Sequence, residues 1–267
     1  MAFGTRFGSF ISNDDLRQLE LIASRHNSFQ RQLDIISATN SKTIDLEELI
    51  KLLKYGKSQL GQDAFALIAT GFKSNGFFCE FGASDGLSNS NTFVLEKHFG
   101  WHGILAEPNP DFHASLAKNR SCLIDTRAVW EKDDAEVEIV RARELSTIRG
   151  FEATDQHYND RSRFINQTTK VKTVTLQRLL HHWNAPSHVD FLSIDTEGSE
   201  LKIIEQFDFS GFSFGAICIE HNFRPEIRRI TSLLEAAGYC RVLEKLSDFD
   251  AWFVPRSSAD LLANFMM

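Results

Sequence analysis

At 267 residues the chain is long enough for one α/β core of about 200 residues plus a helical addition. Its 29 basic and 36 acidic residues leave a net charge of −7, which argues against nucleic-acid binding through bulk electrostatics. No apolar run is long enough to span a bilayer, and MAFGTRFGSFISNDDL lacks the uninterrupted apolar core of a signal peptide, so a cytoplasmic location is expected.

Residues 1–57 read as a helical segment. Leu16, Leu19 and Ala23 begin an amphipathic pattern, and Leu33, Ile36, Leu46, Leu49, Ile50 and Leu53 continue it with breaks. Asn13 and Asp45 stand where N-caps belong. Nothing in the segment carries chemistry; covering a cofactor, forming a homodimer contact and docking a partner all stay open for it. SQLGQDAFALIATG (58–71) predicts a further helix.

Residues 77–110 are the most informative stretch. FFCEF is an apolar strand interrupted by Glu80, a residue that a buried strand would not choose for stability. Gly82-Ala83-Ser84-Asp85-Gly86 then makes a tight turn, followed by a helix from about 91. Ile104, Leu105 and Ala106 form a second strand with Glu107 at its carboxyl end. In open α/β sheets ligands bind outside the carboxyl ends of the strands, so two carboxylates and a glycine turn there predict a nucleoside crevice. The turn lacks the middle glycine that lets backbone approach a pyrophosphate, which disfavours a nicotinamide-dependent oxidoreductase.

A helix near 111–119 and a strand over 121–125 follow. Residues 131–175 then break the βα rhythm: VEIV (137–140) and VKTVTL (171–176) read as a β-extension. Between them Arg141, Arg143, Arg149, His157, Tyr158, Arg161 and Arg163 suggest a substrate lid, with Arg149, Arg161 and Arg163 facing an anionic acceptor. The rhythm resumes with strand 189–194 and a helix from 198, strand 215–220 and a helix from 225, and strands near 240–245 and 250–254. The short gap between the last two predicts a hairpin and an antiparallel edge strand. The fold class is therefore α/β, a mostly parallel sheet with helices on both faces.

HVDFLSIDTEGSE ends its strand in Asp195, with Glu197 two residues on. A carboxylate at that edge can orient or deprotonate a hydroxyl. AICIEHN brings Glu220 and His221 to the next strand end, where His221 is a candidate base. Asp195, Glu220 and His221 together are a possible divalent-cation (Mg) site. Cys79, Cys122, Cys218 and Cys240 share no metal-ligand spacing and read as reduced core residues.

EFGASDG resembles the first motif of class I S-adenosylmethionine-dependent methyltransferases. SQLGQDAF, FFCEFGASDGLSNSNTFVLEKHFGWHGILAEPNP, VKTVTLQRLL, DFLSIDTEGSELKII and AICIEHN together resemble the FkbM family of methyltransferases, over roughly 58–254 of this chain. The resemblance implies a Rossmann-like fold with a seven-stranded sheet, over 58–267 here. It also implies S-adenosylmethionine as donor and O-methylation of a hydroxyl on a sugar, glycan or natural-product scaffold. It places Glu80, Gly82, Ala83, Asp85 and Gly86 in the cofactor loop, with Ser88, Asn89 and Asn91 at the following helix entrance. Glu107 matches the ribose acid, Pro108 and Asn109 flank the adenosine, Gln62 closes over the cofactor, and Asp195, Glu197 and Gly198 match the motif after the fourth strand. A catalytically silent binding module acting through the N-terminal helices is the alternative; the retained strand-end carboxylates count against it.

Overall fold

The computed structural model describes residues 27–37 and 45–265. Residues 27–37 form helix α1 and Leu46–Tyr55 form α2. Asp45 caps α2: its carboxylate accepts from the backbone N–H groups of Glu47 at 2.8 Å and Glu48 at 3.3 Å, which the first helical turn leaves unpaired. The cap expected at Asn13 and the apolar positions Leu16, Leu19 and Ala23 lie outside the described residues. The helix expected over 58–71 is α3, Gln62–Ala69. It starts late because Gly61 sits in the left-handed region at φ 89°.

The chain continues as β1 (Phe77–Phe81), α4 (Phe93–Phe99), β2 (His102–Ala106), α5 (Pro110–Asn119), β3 (Leu123–Asp125) and β4 (Ala128–Val129). Next come β5 (Glu136–Val140), β6 (Thr147–Ile148), α6 (Tyr158–Ser162), β7 (Thr168–Val174) and α7 (Leu176–His182). It ends with β8 (His188–Ile194), α8 (Glu200–Glu205), β9 (Ser213–Glu220), α9 (Ile227–Ala236), β10 (Tyr239–Val242), α10 (Glu244–Ser247) and β11 (Asp250–Pro255).

The main sheet has seven strands in the order β10-β11-β9-β8-β1-β2-β3. All neighbours pair parallel except β11, which is antiparallel to both β9 and β10. The antiparallel strand therefore lies one place in from the edge that β10 forms. Burial explains the order. Ala251, Trp252, Phe253 and Val254 of β11 are all buried, as an interior strand requires, whereas Cys240 and Arg241 of β10 are half-exposed. From β1 the chain winds outward through β2 and β3, then returns to the other side of β1 with β8. That reversal makes the β1/β8 boundary the switch point where a ligand crevice opens.

Two cores flank the sheet. Phe78, Phe191, Ala216, Cys218 and Trp252 pack against residues of α1 to α5, including Ile35, Leu52, Phe65, Leu95 and Leu116. Cys79, Phe81, Ile104, Ile217, Ile219 and Phe253 pack against Leu179, Leu180, Ile203, Ile230 and Leu234 of α7, α8 and α9. Phe65 stacks on Trp252 with ring centroids 4.9 Å apart. Fully burying a side chain such as Phe78 or Phe191 is worth about 1.5–3 kcal/mol.

The second, four-stranded sheet has the order β4-β7-β5-β6. The strand expected through residue 176 stops at Val174, because Thr175 caps α7 by accepting from the Arg178 N–H at 3.2 Å.

Candidate functional site

Register gathers the acids. The parallel β1–β8 pair sets Glu80 beside Ser193, β8–β9 sets Ser193 beside Cys218, and β9–β11 sets Glu220 beside Asp250. The strand ends at Asp195 and Glu220 thus fall next to one another at the switch point.

The glycine turn locks onto the same edge. Gly82 has φ 77°, and a Cβ there would lie 1.8 Å from the Asp195 carbonyl oxygen, so no side chain fits. The Asp195 N–H in turn donates to the Phe81 carbonyl at 3.2 Å. Gly86, at φ 73°, is closed by Arg120 and Leu116, each 2.6 Å from its notional Cβ.

Two open clefts share the walls Phe81, Gly82, Ser84, Glu144, Asp195 and Glu197. The first, about 500 Å³, runs over Glu107, Pro108 and the apolar Val129, Ile139 and Ile148. The second, about 1130 Å³, is walled by Gln62, Glu80, Asn91, Glu220 and Asn222 among others. Ser146, Thr147, Gln156 and His157, from the segment that carries the second sheet, reach one or other cleft.

Glu107 is 4 % exposed; its carboxylate accepts from the Ser84 N–H at 2.8 Å and the Asn109 N–H at 2.7 Å. Burial outweighs those two bonds and pushes its carboxyl up to about 7. A carboxyl whose folded pKa is raised stabilises the fold below its unfolded value and loses that contribution as pH rises through the folded one. Glu107→Gln removes this dependence. Its stability relative to the parent chain should therefore rise by about 3 kcal/mol between pH 4.5 and 8, taking 1.36 kcal/mol per pKa unit. Urea unfolding of both proteins across that range measures it, and parallel curves would contradict the assignment.

Asp195, Glu197 and Glu220 each offer a carboxylate oxygen, the three lying within 4.8 Å of one another. Burial first, then mutual repulsion, raises Asp195 and Glu220 well above the ordinary carboxylate range. Burial likewise pushes Glu197 up to about 7 against the opposing pull of Arg161, and pushes Asp250 up to about 6. Three of the neighbouring acids, Glu80, Glu200 and Asp250, have partners of their own. Glu80 accepts from the Asn91 N–H (2.8 Å), Ser90 and Thr92, with Arg120 at 3.7 Å. Glu200 takes the N–H groups of Thr196 (3.0 Å) and Gly198 (2.9 Å) and pairs with Arg224; Asp250 accepts from Gln62 at 2.9 Å.

Arg161 is wholly buried. It grips Asp155 through two bonds of 2.9 and 2.8 Å, pairs with Glu197, and donates to the carbonyls of Leu145 (2.9 Å) and Glu152 (3.1 Å). It is therefore unavailable to an anionic acceptor. Arg149 is paired with Glu138 at 2.5 Å and Arg163 lies 3.6 Å from Asp160 on the surface.

The domain described as the methyltransferase FkbM domain matches residues 80–240, more than half of the chain. The chain belongs to the FkbM methyltransferase family. No curated protein matches this FkbM chain at a significant level. Among solved structures it is similar to methyltransferase FkbM from Methylobacillus flagellatus KT, with 13 % identity, 90 % of this chain and 60 % of that one covered, and TM-score 0.43. It is also similar to precorrin-6y C5,15-methyltransferase from Geobacter metallireducens GS-15, with 12 % identity, 75 % and 89 % covered, and TM-score 0.40. Likeness at that level carries nothing about substrate.

In this FkbM chain Gln62, Glu80, Gly82, Ala83, Ser88, Asn89, Asn91, Asp195 and Glu197 line the second cleft, and Glu107 and Pro108 the first. Asp85 and Asn109 stand back as turn and helix caps: Asp85 accepts from the N–H groups of Leu87 (2.8 Å) and Ser88 (2.7 Å), and Asn109 from that of Asp111 (3.0 Å). His221 lines neither cleft. Its Nδ1 accepts from the Phe223 N–H at 3.0 Å and its Nε2 faces Arg241 at 3.4 Å, while burial and Arg241 lower its pKa. Glu197 therefore occupies the third place of the acidic group, where His221 was expected. The histidine that does line the second cleft is His157.

Proposed function

We propose that this FkbM chain transfers a methyl group from S-adenosylmethionine to a hydroxyl of a sugar, glycan or natural-product scaffold. The observation that carries the reading is the Gly82 turn seated on the Asp195 carbonyl, with Glu107 over one cleft and the Asp195–Glu220 acids over the other. When bound, the donor supplies an electrophilic methyl on a cationic sulfur. In this reading Glu107 takes the ribose hydroxyls, and the apolar wall of Val129, Ile139 and Ile148 takes the adenine. The acid-rich second cleft suits a sulfonium and an ammonium group and opposes a dinucleotide pyrophosphate.

Direct displacement asks the protein mainly to align donor and acceptor: as the acceptor oxygen bonds to the methyl carbon, the methyl–sulfur bond breaks and the sulfur departs readily as the neutral thioether of S-adenosylhomocysteine. Asp195 is our candidate to accept the acceptor hydroxyl's proton. The amide and hydroxyl side chains of Gln59, Ser88, Asn89, Asn91, Gln156 and Asn222 around the second cleft fit a polyhydroxylated acceptor. We assign the lid role to the segment 131–175, which supplies walls to both clefts, and the catalytic unit to 58–267. No helix among the described residues is long and apolar enough to cross a membrane, and the cysteines are free; we place the protein in a reducing, cytoplasmic compartment on that basis.

Calorimetric titration with S-adenosylmethionine and S-adenosylhomocysteine tests the reading. Micromolar binding is expected, and Glu107→Ala should weaken it by about 2–3 kcal/mol, the loss of a charged hydrogen-bond partner. Absence of binding to both ligands would overturn the assignment.

A further inference from the structure

We infer an anion subsite in the cavity beside the second cleft, where Lys54 and Lys57 receive the phosphate or carboxylate group of an acidic sugar. Its use as part of an acceptor site rests on the methyl-transfer reading; the anion binding itself does not. The cavity, about 1380 Å³, lies between α1, the end of α2 and the turn after β1, with Phe29, Leu53, Lys54, Lys57 and Leu87 among its walls. Gln59, Ser88 and Asn89 belong to both spaces, so the cavity adjoins the second cleft across three polar side chains.

Charge reverses between the two. Glu80, Glu144, Asp195, Glu197 and Glu220 line the second cleft, and no lysine or arginine is among its described walls. Lys54 and Lys57 line the cavity, and no carboxylate is among its described walls. Lys51, one turn earlier on α2, pairs with Glu47 at 2.7 Å. Lys54 and Lys57 pair with no carboxylate among the described residues: the Lys54 Nζ lies 4.9 Å from the centre of the Tyr55 ring and the Lys57 Nζ 6.0 Å from that of Phe93. Two acids behind these walls are spent on other donors. Asp63 accepts from the N–H groups of Lys57 (3.0 Å) and Ala64 (2.8 Å) and from the Ser58 hydroxyl (2.5 Å), and burial raises its carboxyl. Asp85 is held by the Leu87 and Ser88 N–H groups.

The contacts of Asp63 also fix the turn that carries Lys57. Gln32 of α1 donates to Asp63 at 3.3 Å, the Ser28 hydroxyl donates to the Ser58 carbonyl at 2.9 Å, and a Cβ at Gly56 would meet the Gln32 amide at 2.0 Å. A site whose backbone is set beforehand needs less ordering on binding. Phe29, 42 % exposed, with Leu53 and Leu87 offers an apolar wall to the carbon skeleton of a sugar, and the shared polar side chains offer hydrogen bonds to its hydroxyls. The acids of the second cleft repel an anion, so an acidic sugar lies one way round, its anion at the lysines and a hydroxyl towards Asp195. Arg149 and Arg161, expected to meet such an anion, are taken up by Glu138, Asp155 and Glu197; Lys54 and Lys57 supply the charge in their place.

The test is calorimetric titration of the full chain, saturated with S-adenosylhomocysteine, with glucose 1-phosphate, glucuronate and glucose. One of the two acidic sugars should bind at least about tenfold more tightly than glucose, the scale of two exposed charge pairs, and the tighter of them tells a phosphate from a carboxylate. Raised salt should shrink the difference. Lys54→Gln combined with Lys57→Gln, both exposed, should abolish the preference and leave S-adenosylhomocysteine affinity within about twofold. Lys118→Gln, exposed on α5, should keep the preference. Equal or absent binding of the three sugars, or a preference that survives in the double variant, overturns the subsite. S-adenosylhomocysteine binding without the preference defeats the subsite alone. Where S-adenosylhomocysteine does not bind, the same titrations of the unliganded chain read the subsite, and the methyl-transfer reading falls by itself.

Discussion

Replacing Arg161 with alanine is expected to cost about 3–5 kcal/mol of unfolding free energy, the range for removing one partner of a buried ion pair. The guanidinium has no solvent contact and meets two carboxylates and two backbone carbonyls. Without it, the Asp155 and Glu197 carboxylates stay buried with no counter-charge, and the carbonyls of Leu145 and Glu152 lose a donor. Lysine should recover little, since a single ammonium cannot reproduce the planar fork that takes both Asp155 oxygens. Urea unfolding with linear extrapolation reads the difference, and a loss under about 1 kcal/mol would place Arg161 among ordinary surface arginines.

Asp195→Asn should leave S-adenosylhomocysteine affinity close to that of the parent and lower turnover by about 10²–10⁴-fold, the usual worth of a positioned proton acceptor. The amide matches the carboxylate in shape and cannot take a proton. Because burial and the neighbouring Glu197 raise Asp195, the parent enzyme's acid limb should lie above the ordinary carboxylate range, with rate rising as Asp195 ionises. The same substitution removes one of the crowded charges, so thermal stability should not fall. Turnover that survives in Asp195→Asn would remove this residue from the reaction.

The parts of the site written in consecutive residues were readable from the chain alone. Glu80 interrupts one apolar run; the Gly82–Gly86 turn, Glu107 and Asp195 each follow the end of one, and such runs become parallel strands whose ends meet at one edge. What escaped depends on tertiary placement. Arg161 lies in a polar stretch of its own, and its pairing with Glu197, 36 positions away, leaves no local trace. His221 stands directly after the end of β9, yet Asn222 and Phe223 both adopt positive φ, 44° and 58°, and the ring finishes against the Phe223 amide and Arg241. Asp250 opens an apolar strand and gave no hint that it would face Glu220 across an antiparallel pair. The place of β11 inside the edge followed from which of two short strands was the more apolar, a comparison available in the residues themselves.

The segment carrying the second sheet is stitched to the turn after β8 twice: Thr147 donates to the Glu197 carbonyl at 2.8 Å, and Arg161 pairs with the Glu197 side chain. Specificity segments are often treated as cassettes to be exchanged between relatives. Here a graft that replaced 141–169 without supplying a hydroxyl and a guanidinium at those two points would strand Glu197 and let the turn beside the reacting groups relax. The inner face of the segment, where Thr147 and Arg161 meet the Asp195–Gly198 turn, therefore has to match that turn, a demand that its outer face does not carry.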